Sequence, residues 1–344
     1  MTDAALFHAI LCTSALFGLH DMMLHRKHML ESIRLINDRL PGEWATSDAT
    51  ISAILFMAKA EYLQGNHSAW CVHMDGVKRI IELRGGTMTL SCLIQHKIYS
   101  TDLLGCMEIG ALPRFPAIDI LKPVSSSYPY NLPPAVVSLA KSFILDHELL
   151  ALLSEITTHM KSSPTSHDTL GDQYRLLSLC YQQPLRDCLV LTKRFSSQVQ
   201  QVKSKIVQEV LMIGALLFLS LPHMCALPPI RPVDYSYLLS RLDSFASPLY
   251  ADHQILLQHP EFLLWLSFLG VVFSSTSVSL SAGAHERSPF RLQLRAVSIM
   301  LEITSWHDMK IALGRMWSID PKYEKPYRCL WENAVFGHDI CYES

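Results

Sequence analysis

The residues of this chain best suited to chemistry are its 16 histidines and nine cysteines. The cysteines stand at 12, 71, 92, 106, 180, 188, 225, 329 and 341, and no two are spaced C-x-x-C. That spacing offers neither the paired thiolates of a structural zinc site nor an even disulfide framework. It predicts buried free thiols in a reducing compartment. His20, His25 and His28 lie close together, with His25 and His28 on one helical face at i, i+3. A metal centre needs further donors and partners that orient them. Local spacing places none, so these histidines read as solvated or core groups. Ser138 and Lys141 form a Ser-x-x-Lys pair, as in some acyl-serine hydrolases, but the Ser-Asp-Asn and Lys-Thr-Gly elements are absent. The pair therefore reads as helix surface. The sequence has no G-x-S-x-G, no phosphate-binding glycine loop, no His-Glu-x-x-His and no Asp-Asp-x-x-Asp. The expectation is a chain with no catalytic residues, no cofactor and no metal. A helical enzyme of unrecognised type, with a triad assembled from distant residues, is the alternative; a pure interaction scaffold is the third reading.

Composition narrows the elements that position these groups. Hydrophobic residues make up 49% and charged residues 17%, with only 14 glycines and little strand-like alternation. All of this favours helices over strands. The formal net charge is −2, so no domain-scale basic excess exists to hold a phosphate backbone. Direct nucleic-acid binding by this chain is disfavoured. The longest apolar runs, Val210–Leu221 and Phe262–Phe273, are shorter than the roughly 20 residues of a spanning helix. They read as buried core helices, with no membrane partner. An acidic residue near the N-terminus and no basic region before the apolar run argue against a secretory signal.

Helical phasing recurs along the whole chain. Residues 4–19 and 21–40 read as two helices ended by Pro41-Gly42. Helices are also expected near 90–104, 135–160, 174–191, 199–221, 235–245, 252–258, 261–274 and 290–305. Proline-rich stretches at 113–134 and 222–234 read as loops and mark the candidate domain boundaries. Because helical pattern resumes after each, the expectation is one large all-α domain over 1–344, with about a dozen helices and long proline-rich loops.

The organising stretch is Ala49–Gly86. In its first helix Ile51, Ile54, Leu55, Ala58 and Tyr62 form an apolar stripe, capped from Thr46, Ser47 or Asp48. Gly65-Asn66 makes the turn. In the second helix Trp70, Met74, Val77, Ile80 and Ile81 make another stripe, stopped by Gly85-Gly86. Two such helices on a short connection pack antiparallel. His73 lies beside the stripe and reads as a core histidine bonded to a neighbouring helix end, or as part of an effector pocket. Gly76 is expected to let helices approach closely, and Arg84 to pair with a helix end or a carboxylate.

The string WCVHMDGVKRIIELRGG resembles a segment of the regulatory region of fungal zinc-cluster transcription factors, a His-x-x-Gly helix followed by Arg-Gly-Gly. Here those positions are His73, Gly76, Ile80, Ile81, Arg84, Gly85 and Gly86, next to Trp70. Looser similarity runs through Phe7-His8-Ala9, His25-Arg26 and Ile36–Leu40, then Trp265 and Gly270, then Trp306, Lys310, Leu313, Trp317, Pro326, Leu330, Trp331 and Glu332. The resemblance implies the helical regulatory (middle homology) region that normally lies downstream of a binuclear zinc cluster. The six closely spaced thiolates of that cluster are absent, as in a shortened relative or a chain whose start lies inside a longer protein. It implies a transcription regulator in the nucleus, otherwise the cytoplasm, working through protein partners of the transcription machinery or a small effector.

Overall fold

The computed structural model describes residues 3–16, 21–115, 130–161, 176–177, 179–181, 199–225, 234–276 and 288–337. No strand occurs among the described residues, and the regular elements are helices, so the all-α expectation holds. The chain divides into two compact units, Met1–Ile120 with Pro228–Arg231, and Leu121–Leu227 with Pro232–Ser344. The divisions fall within the two proline-rich stretches of the sequence.

The first unit contains α1 (Ala4–Ser14), α2 (Met22–Arg39), α3 (Asp48–Leu63), α4 (His67–Arg84) and α5 (Cys92–Ile109). Four of its five helix starts are capped by side chains. Asp3 accepts from Leu6 N–H, Asp21 from Met23 and Leu24 N–H, Ser47 from Thr50 N–H and Asn66 from Ala69 N–H. Helix α3 packs against α1, α2, α4 and α5. It is consequently buried beyond its expected stripe: Ala53, Met57 and Ala60 are inside along with Ile51, Ile54, Leu55, Ala58 and Tyr62. The α4 stripe of Trp70, Met74, Val77, Ile80 and Ile81 is buried as expected. Each large aliphatic side chain so enclosed stabilises by ~1.5–3 kcal/mol.

The second unit contains α6 (Pro134–Ser142), α7 (His147–Lys161), α8 (Val199–Cys225), α9 (Ser236–Ala251), α10 (His253–Gln258), α11 (Pro260–Thr276), α12 (Pro289–Met300), α13 (Trp306–Leu313) and α14 (Glu324–Phe336). Helix α11 is its hub, touching α6, α8, α9, α10, α12, α13 and α14. The apolar run on α8 is longer than the sequence reading allowed. Gln201–Leu221 is long and apolar enough to cross a membrane, yet 83% of its apolar window is buried inside the structure, as for a core helix. The helix also passes Pro222 before ending at Cys225.

The expected helix at 135–160 is instead two. Phe143 takes extended backbone (φ −128°, ψ 150°). Side chains of α8 hold the break open: Ser204 Oγ accepts from Ile144 N–H at 3.1 Å and Gln208 Oε1 from Asp146 N–H at 3.0 Å. Tertiary acceptors thus replace intrahelical ones, which local periodicity does not reveal. The expected helix at 290–305 likewise stops at Met300, with Glu302 at φ 55°. The expected helix at 174–191 lies mostly outside the described residues.

Candidate functional site

The segment 67–115 carries the motif residues of the first unit and its buried charges. Trp70 on α4 is fully buried. Its indole lies against Gly105 of α5, where a Cβ would stand 2.2 Å from the ring. The Arg114 guanidinium, from the stretch after α5, sits 4.8 Å from the centre of the same ring, a cation–π arrangement.

Asp102 of α5 is 0% exposed. Its carboxylate accepts from Arg114 N–H at 2.5 Å, Phe115 N–H at 3.1 Å and the Arg114 guanidinium at 3.2 Å. Arg114 Nε donates to Asp75 of α4 at 2.5 Å. Burial raises the Asp102 carboxyl above the ordinary carboxylate range, against the pull of the Phe115 amide and the Arg114 charge. Burial opposes the charge on Arg114, but bonds to Asp75 and Cys71 outweigh it and keep the guanidinium protonated. A second buried carboxylate, Glu108, accepts from Tyr62 Oη at 3.3 Å and lies 3.3 Å from His67 Nε2. Buried charges persist only where partners compensate them. These two carboxylates therefore tie α5 to α3, α4 and the chain leading to residue 115.

The hairpin's far end is closed by Arg84. Its guanidinium donates to the Thr46 carbonyl at 3.0 Å, to the Thr89 carbonyl at 3.1 Å and to the Asp48 carboxylate. Gly85 and Gly86 have φ of 101° and 104°, and Gly86 N–H returns to the Ile81 carbonyl at 2.9 Å, a glycine-terminated helix end. Gly76 departs from expectation: a Cβ there would meet nothing within 4 Å. The close approach is made at Gly105, one helix away. His73 is half-buried, and burial lowers its imidazole pKa while Glu61 opposes.

Three further groupings join residues distant in sequence. Cys12 Sγ lies 3.2 Å from His25 Nδ1, and the Gln64 amide 3.0 Å from His25 Nε2. This is the composition of a thiol nucleophile, base and orienting amide. Here it is sealed. Cys12 is 0% and His25 3% exposed, and burial pushes the thiol pKa up to about 12, so the thiolate is scarce at neutral pH. Ser138 Oγ lies 3.3 Å from His259 Nδ1. His259 is buried and its Nε2 meets no hydrogen-bond partner among the described residues. A triad would place a carboxylate on that second nitrogen. His8 Nδ1 on α1 lies 2.8 Å from His28 Nδ1 on α2. His20 lies outside the described residues. Among the described residues no group of three or more His, Cys, Asp and Glu side chains converges to hold a metal. Cys12, Cys71, Cys92, Cys106 and Cys180 carry free thiols. Cys329 is disulfide-bonded, a correction to the expectation of thiols throughout, since spacing alone does not reveal a pairing.

Residues 1–219 match the family described as the fungal specific transcription factor domain. The chain belongs to this family. No curated protein and no solved structure matches it. The family segment takes in the whole hairpin, both buried carboxylates of α5 and most of α8. A role in regulating transcription accompanies that membership.

The remaining motif residues lie beyond the family segment, in the core of the second unit. Trp265 of α11 meets Trp317 edge-on at 5.4 Å, and Phe218 of α8 stacks on Trp317 at 5.4 Å. A Cβ at Gly214 would stand 2.4 Å from the Trp265 ring. Trp317 Nε1 donates to Thr157 Oγ1 at 3.0 Å. Trp306 and Trp331 form a second pair at 5.7 Å, with Trp306 Nε1 donating to Glu324 at 2.8 Å. At Gly270 a Cβ would stand 2.2 Å from Phe290. These tryptophans and glycines are packing partners. The sequence reading missed Gly105, Gly214, Asp102 and Arg114, which carry no local signature. The one available hint was the contradiction of an aspartate amid the apolar positions of α5.

Proposed function

We propose that this chain is a regulatory domain of transcription-factor type that reads no DNA itself and acts through contacts with proteins of the transcription machinery or a small effector. Family membership over residues 1–219 carries the reading. The formal net charge of −2 supports it, because a chain without a basic excess gains little from counterion release. The sealed Cys12–His25 pair also supports it, since a fully buried thiol with its pKa near 12 is a poor nucleophile. Residence in the nucleus, without a membrane partner, is part of the same proposal.

The test of the DNA-binding half is selection from a random duplex pool with the purified chain, followed by gel shifts over a range of salt. The expected outcome is no enriched sequence. Enrichment of one motif, bound with an affinity that discriminates against scrambled duplex, would overturn the proposal.

A further inference from the structure

We propose that His8 and His28 form a two-imidazole site for a borderline divalent transition ion, of the class of Zn2+ or Cu2+, clamping α1 to α2. The two Nδ1 atoms face each other at 2.8 Å across the helix pair, with ring centroids 5.0 Å apart. Only one of the two nitrogens carries a proton in such a contact, so one ring already offers its Nδ1 lone pair to the shared point and the other does so once its proton moves to Nε2. Imidazole suits Zn, Cu and Ni. At Zn–N distances near 2.0–2.1 Å and a tetrahedral angle, two ligating nitrogens stand about 3.3–3.4 Å apart. The pair therefore opens by roughly half an ångström, a small rotation of two side chains that are both half-exposed.

The two rings are the protein donors of the proposed site. Glu31, one turn beyond His28, has both carboxylate oxygens engaged by Arg34, at 2.6 and 3.0 Å. Lys27 and His8 both disfavour a proton on His28, after burial, which lowers its pKa most. At neutral pH the ring that donates through Nδ1 moves its proton to Nε2 on binding, so no proton is released from the neutral pair. As pH falls, protons compete for the same lone pairs and binding weakens. Around the pair, Ser32 Oγ donates to the Ala5 carbonyl at 3.1 Å and Arg39 bonds Asp3 at 2.7 Å. These contacts hold the two helices together independently of the pair.

The experiment titrates ZnCl2, and separately CuCl2, into the chelator-stripped full chain at pH 7.5 and reads binding by calorimetry and protection of α1 amides by hydrogen exchange. The expected result is one saturable site, Cu2+ tighter than Zn2+, with slower exchange in α1. His8→Ala and His28→Ala should each weaken that site at least tenfold while leaving helicity unchanged. His253→Ala, elsewhere in the chain, should leave it intact. No saturable site in the native chain, or a site that survives either substitution, overturns the proposal.

Discussion

Replacing Arg114 by alanine removes the cation that compensates the buried Asp102 carboxylate. Asp102 would keep its two backbone amide donors but lose the guanidinium at 3.2 Å. Removing one partner of a buried pair costs about 3–5 kcal/mol, because the other charge stays inside. Two further losses are smaller. The Asp75 carboxylate is 67% exposed, so its bond to Arg114 contributes under about 1 kcal/mol. The contact with the Trp70 ring adds on the order of 1 kcal/mol. The expected total is therefore about 4–6 kcal/mol, dominated by Asp102. Asp75→Asn should cost under about 1 kcal/mol. The pH dependence separates these causes. Burial already raises the folded-state pKa of Asp102, and losing the guanidinium raises it further. A carboxyl raised in the folded state binds its proton more tightly when folded. The stability it contributes is thus full below the unfolded value near 4 and is lost as pH rises through the folded value. The Arg114→Ala deficit should accordingly be larger at pH 7 than at pH 4.5. The assay is hydrogen exchange of α4 and α5 amides with urea titration at both pH values. A deficit no larger than that of Asp75→Asn, or one independent of pH, would refute the reasoning.

Three other outcomes follow from the same structure. Gly105→Ala should destabilise by about 1–3 kcal/mol through its clash with Trp70, whereas Gly76→Ala should be neutral or stabilising by up to about 1 kcal/mol, since it meets open space within a helix; thermal melts of the two variants compare them directly. Gly85→Ala should cost on the order of 1 kcal/mol, because φ is 101° there. Cys92, which is exposed, should react with a maleimide at pH 7 in the folded chain, while Cys12 and Cys106 should react only after unfolding, as burial raises both thiols; mass mapping of labelled peptides reads this.

The hairpin was legible because its information is local. Apolar residues at helical spacing chose the buried faces of α3 and α4, and Ser47, Asn66 and Gly85 fixed their ends. The all-α architecture followed from the same periodicity repeated along the chain. What spacing could not show was pairing at a distance. Asp102 and Arg114 are linked through a turn that folds back on α5, and His8 meets His28 only because α1 lies along α2. Gly76 was misread for the same reason: a glycine on a helix signals close approach only when a neighbour presents a large ring, and that ring meets Gly105. The break at Phe143 depends on Ser204 and Gln208 of α8, which no window around residue 143 contains.

We propose that the chain changes transcription without reading DNA itself. The direct measurement fuses the full chain to a heterologous DNA-binding module and follows a reporter gene carrying that module's site, in activation and repression formats. A change in output that depends on the tether, and that Arg114→Ala abolishes at matched protein level, is the predicted result. Unchanged output in both formats from a stably expressed fusion would contradict it.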